Sequence, residues 1–63
     1  MKTGDTVKFT NETAEEKEWR ETGRIVMSVV WVDAPRCMIV ADMGFIVNPT
    51  SIHDIAELEV VNE

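Results

Sequence analysis

Sixty-three residues with a mass of 7.1 kDa make one small domain, residues 1–63, and exclude a second. A single cysteine, Cys37, and a single histidine, His53, exclude an intrachain disulfide and a structural zinc site, which needs about four ligands. The net charge of −6 repels phosphate backbones, so it opposes direct nucleic-acid binding and favours a basic protein partner.

The apolar share of 44% and the charged share of 29% suit a globular domain rather than a disordered chain. No apolar run approaches the roughly 20 residues of a membrane helix, and no signal-peptide pattern opens the chain. A soluble cytoplasmic protein without a membrane partner is the expectation. A chain this short buries only about 60% of its unfolded surface, so self-association would help it.

The first strand falls at residues 6–10, where Val7 and Phe9 alternate with polar neighbours. Residues 11–22 are polar and carry Glu12, Glu15, Glu16, Glu18 and Glu21 against Lys17 and Arg20, a net −3. This stretch reads as a long acidic loop between strands one and two. Thr13 and Glu16 hold capping-box spacing, which leaves a helical turn open there. Trp19, its one large apolar residue, is expected to fold back over the core.

Gly23 breaks the chain, and residues 24–32 form a second, strongly apolar strand. Ile25, Met27, Val29 and Trp31 alternate with Val26, Ser28, Val30 and Val32. A strand apolar on both faces is central, or bent so that each half buries a different face, or part of an interface. A turn with Pro35 leads to a third strand at residues 37–42. Gly44 makes a tight connection to a fourth strand at residues 45–48, which Pro49 ends. Residues 51–54 suit a 3₁₀ turn, and residues 58–61 a fifth strand. The last ten residues add Asp54, Glu57, Glu59 and Glu63 with no base, a net −4.

Five short strands, a long excursion after the first and a 3₁₀ turn before the last resemble the SH3-like small β-barrels of bacteria and their phages. The residues that carry this are Gly4-Asp5-Thr6-Val7, Gly23-Arg24-Ile25-Val26, Asn48-Pro49 and Leu58-Glu59-Val60-Val61. The approach from Trp19 to Gly23 is similar to that of the small peripheral subunit of photosystem I. Residues 45–61 are loosely similar to the plasmid-borne type II dihydrofolate reductases. Those enzymes bind through a Val-Gln-Ile-Tyr motif; Phe45-Ile46-Val47-Asn48 stands here without the Gln and Tyr. The resemblance implies an all-β, single five-stranded SH3-like barrel. It does not imply one function, because this architecture hosts unrelated activities.

Ser51, His53 and Asp54 invite comparison with a hydrolase triad. All three fall in one turn, with side chains expected on different sides, whereas a working triad gathers them at one point. Ser51 or Asp54 then caps the turn and His53 is solvated. Cys37 opens an apolar strand and reads as a buried structural thiol rather than a nucleophile. The acidic segment lacks the alternating ligands and glycine of a calcium loop. With no tyrosine and four aromatic residues, the chain lacks a polyproline-binding shelf. No catalytic, metal or cofactor residue is assigned, and the protein is read as non-enzymatic.

Trp31 is expected in the core; placed outward, it would mark an interface. The function expected is that of a small protein-binding module, adaptor or accessory, of bacterial or phage origin. Its partner-binding residues are Glu12, Glu15, Glu16, Glu18, Trp19, Glu21 and Trp31. Charge would speed encounter and a tryptophan-centred apolar patch would supply affinity. One alternative is a phage or mobile-element inhibitor whose acids stand in for phosphates. A second is an accessory subunit of a larger assembly, and homo-oligomerisation suits either.

Overall fold

The computed structural model describes residues 1–61, so Asn62 and Glu63 lie outside it. Strands β1 (Thr6–Phe9), β2 (Val26–Asp33), β3 (Arg36–Asp42), β4 (Thr50–Asp54) and β5 (Leu58–Val60) form one sheet in the order β4-β3-β2-β1-β5. Every pairing is antiparallel. Helix α1 (Ala14–Glu21) joins β1 to β2, and a 3₁₀ turn, η1 (Ile55–Glu57), joins β4 to β5. Among the described residues the structure is therefore mostly strand, with one short helix.

The expected acidic loop is a two-turn helix, and its ends explain why. Thr13 accepts a hydrogen bond from Glu16 N–H at 3.1 Å, and Glu16 accepts one from Thr13 N–H at 3.4 Å. These two bonds satisfy donors that the first turn would otherwise leave unpaired. At the other end, Arg24 N–H donates to Trp19 O at 2.9 Å and Gly23 N–H to Arg20 O at 3.2 Å. Gly23 takes the φ of 78° that this closure needs.

Residues 45–48 are not a strand. They lie in the loop between β3 and β4, and β4 instead begins after Pro49. The register decides this: Val40 pairs with Thr50 and Cys37 with His53, aligning all of residues 50–54 with β3. The 3₁₀ turn consequently moves on to Ile55–Glu57.

Paired residues share a face, so the register sorts side chains between the two sides of the sheet. Val7, Met27 and Ala41 form one inward row, and Val29 and Ile39 another. Val7, Val29, Cys37, Ile39 and Leu58 are buried, with Phe9, Met27 and Ile55 packed against them. Between Val29 and Trp31 the register slips by one residue, leaving Val30 unpaired. This β-bulge turns the second half of β2 over. Val32 now pairs with buried Cys37, while Trp31 pairs with Met38. Val26, Val30 and Val32 nonetheless remain 38%, 40% and 36% exposed, so part of the apolar surface of β2 stays in solvent.

Candidate functional site

The bulge corrects the expected place of Trp31. It stands on the outer face, half-buried, in a row with Met38 of β3 and Ile52 of β4, which is 54% exposed. Trp19 lies on the inner side, where α1 covers the sheet. The two tryptophans belong to opposite faces and do not form one patch.

Beneath α1 is a cavity of about 250 Å³ lined by Phe9, Glu12, Glu16, Trp19, Arg20, Ile25, Met27, Ala41 and Met43. A second hollow of about 310 Å³ shares Trp19, Ile25 and Met43 with it and opens beside Arg24. Together they make an apolar groove with a charged rim. The sheet builds its floor through Met27 and Ala41, which are cross-strand partners. The helix builds its wall, because Trp19 projects from the side of α1 that faces the sheet.

The acids of this region have different occupations. Glu12 receives Arg20 Nε–H and Nη2–H, each at 2.9 Å, and its side chain is only 10% exposed. The guanidinium holds its carboxyl below the ordinary 4.5, chiefly by hydrogen bonding and partly against the cost of desolvation. Glu16 serves the capping box and lines the groove. Glu21 lies 3.9 Å from Lys17 on the exposed surface. Glu15 and Glu18 are exposed and make no ion pair among the described residues. They are the acids best placed to meet a partner's charge.

Ser51 and His53 come together against expectation. Because residues 50–54 are a strand, positions two apart share a face. Ser51 Oγ and His53 Nε2 are 2.7 Å apart, and His53 Nδ1 lies 3.4 Å from Glu57 Oε2. Which of Ser51 and His53 donates depends on the imidazole tautomer. Glu57 thus takes the third position, while Asp54 sits 4.0 Å from Arg36 and makes no capping bond to η1. His53 is half-buried rather than solvated and meets Phe9 edge to face at 5.1 Å. The adjoining hollow of about 450 Å³ is lined by Arg36, Ile52, His53, Asp54 and Glu57, but not by Ser51. The array ties the inward side of edge strand β4 to η1.

Cys37 is fully buried, and burial raises its thiol pKa, with Asp54 and Glu57 adding to the effect. Such a thiol is a poor nucleophile. Among the described residues no group of three or more His, Cys, Asp or Glu is arranged to hold a metal ion. None of their helices is long and apolar enough to cross a membrane.

No family model, curated protein or solved structure matches this chain. Functional assignment rests on the groove and its rim. Trp19 was legible in the sequence as a groove residue, whereas the contributions of Ala41 and Met43 were not. The alternation of β2 placed Met27 inward; the cross-strand pairing that sets Ala41 beside it had no local signal.

Proposed function

We propose that the protein is a non-enzymatic binding module for a basic protein partner. The observation that carries this is an apolar groove walled by Trp19 directly beneath a helix whose outer surface presents Glu15 and Glu18. The acids draw the partner in, and an apolar side chain of the partner enters the groove. Trp31, with Met38 and Ile52, offers a separate outer surface for a larger assembly. We also propose that the sheet closes as an SH3-like barrel, with η1 spanning the edges β4 and β5. A cytoplasmic adaptor or accessory role, of bacterial or phage origin, fits this reading.

The test is a titration with basic peptides that carry one central Leu or Phe, read by Trp19 emission in a Trp31→Phe background. Binding is expected to shift the emission to the blue. Glu15→Gln with Glu18→Gln should weaken it several-fold without abolishing it. A contact that depends on charge alone, as in phosphate mimicry, would lose about 10³–10⁵ in affinity between 50 and 200 mM salt. That loss, or no emission change with any peptide, would reject the groove as the anchor.

A further inference from the structure

The least sheltered apolar residues lie together at one loop tip. Phe45 is 61% exposed, Ile46 104% and Val47 83%. Three consecutive large apolar side chains in water are a liability unless something covers them. The loop is also held in shape. Asp42 Oδ1 accepts Gly44 N–H at 3.0 Å, and Asn48 Oδ1 accepts Met43 N–H at 3.2 Å. Ala41 N–H donates to Pro49 O at 2.9 Å across its base, and Gly44 adopts a φ of 81°. A pinned loop loses little conformational entropy when its tip is buried, so it is preorganised to bind.

We infer that the loop at residues 45–47 inserts into the Trp19 groove of a second copy of this chain, forming a two-fold dimer. Met43 lines the groove and also begins the loop, so plug and socket adjoin on one surface. A two-fold axis close to Met43 sets each loop opposite the other copy's groove, which makes the interface self-complementary and closed. Phe45 and Ile46 match the groove in chemistry, since Phe9, Trp19, Ile25 and Met27 line it. Arg24 and Asp42 flank a shallow hollow beside the loop base, and Arg24 makes no ion pair among the described residues. Across the axis, Arg24 of one copy meets Asp42 of the other. Each copy carries −6, so repulsion opposes pairing and raised salt strengthens it. That sign is opposite to the one expected for a basic partner. The inference does not depend on the partner reading, although both use the same groove and therefore exclude each other.

Sedimentation velocity of the full chain across concentration, at low and raised salt, tests it. The expected result is a monomer of 7.1 kDa that converts to a species of twice that mass, with a lower dissociation constant at higher salt. Phe45→Ser with Ile46→Ser should raise that constant at least tenfold. These residues are exposed, so the fold survives the change. As a second reading, protein carrying Ile46→Cys is mixed with protein carrying Glu16→Cys and oxidised. The mixed disulfide should exceed its statistical share. A chain that remains monomeric at millimolar concentration would overturn the inference. So would a dimer indifferent to the loop substitutions, or monomers that instead bind neutral phosphatidylcholine vesicles through Ile46.

Discussion

Arg20 grips Glu12 with two parallel hydrogen bonds, Nε to Oε2 and Nη2 to Oε1, each 2.9 Å long. Glu12 precedes α1 and Arg20 lies in its last turn, so the pair spans the helix and ties it to the end of β1. Two-point geometry makes this contact stronger and more directional than the ion pairs at 3.9–4.0 Å elsewhere. It holds α1 over the groove.

The clasp predicts an acid-sensitive component of stability. The folded-state pKa of Glu12 is depressed below 4.5 by Arg20. The ionised carboxylate therefore stabilises the fold above pH 4.5, and that contribution is lost as pH falls through the lowered folded value. Urea unfolding at several pH values should show a steeper acid-side fall for the natural chain than for Glu12→Gln. Equal slopes would mean that the clasp contributes nothing to folding. Arg20→Lys, which cannot make the two-point contact, should resemble Glu12→Gln at neutral pH.

Thr13 is the residue on which α1 begins. Thr13→Ala removes the hydroxyl that caps Glu16 N–H and should cost about 1 kcal/mol. In a domain of this size that is a fall of roughly 4–8 °C in Tm. Thermal unfolding by circular dichroism measures it. An unchanged Tm would show that α1 is held by its packing and the Glu12 clasp alone.

The bulge at Val30 predicts unequal costs for two apolar residues on neighbouring strands. Ile39 is 2% exposed at the centre of the core, and Ile39→Ala should cost about 2–5 kcal/mol. Trp31, although larger, stands on the outer face, and Trp31→Ser should cost within about 1 kcal/mol. Chemical denaturation of both variants compares them. A cost for Trp31→Ser equal to that of Ile39→Ala would place Trp31 back in the core.

Cys37 should resist thiol reagents in the folded protein and react at once in denaturant. Its folded pKa is raised by burial, so the fold favours the neutral thiol. Stability is then undiminished below the ordinary 9.0 and declines as pH rises past it, because the unfolded chain ionises first. A Cys37→Ala variant should lose that alkaline decline. Rapid native labelling would contradict the burial on which the argument depends.

Much of the sheet was legible because strand signals are local. Val7 with Phe9, the apolar run of β2 and the start of β5 at Leu58 lie where alternation placed them. The Thr13–Glu16 spacing and the Glu16–Arg20 pair one turn further on pointed to helix, but in a polar, acidic stretch they did not decide between one turn, two turns and a loop. Residues 45–48 show how such reasoning misleads. Three adjacent apolar residues read as a strand, whereas the pairing of β3 with residues 50–54 leaves them outside the sheet. Of the groove, Trp19 was visible; its floor was not, because Met27 and Ala41 become neighbours only by cross-strand register.

By itself, the sequence determined a mostly-β chain, the absence of an intrachain disulfide and an acidic character. Those properties follow from composition and from periodicity within a few residues. Tertiary structure alone decided that one unpaired residue, Val30, sends Trp31 outward, that Arg20 takes up Glu12, and that Met43 divides an apolar groove from an apolar loop. Each depends on register and on contacts between distant segments. A shift of one residue along a strand exchanges its faces, and no local pattern records that shift.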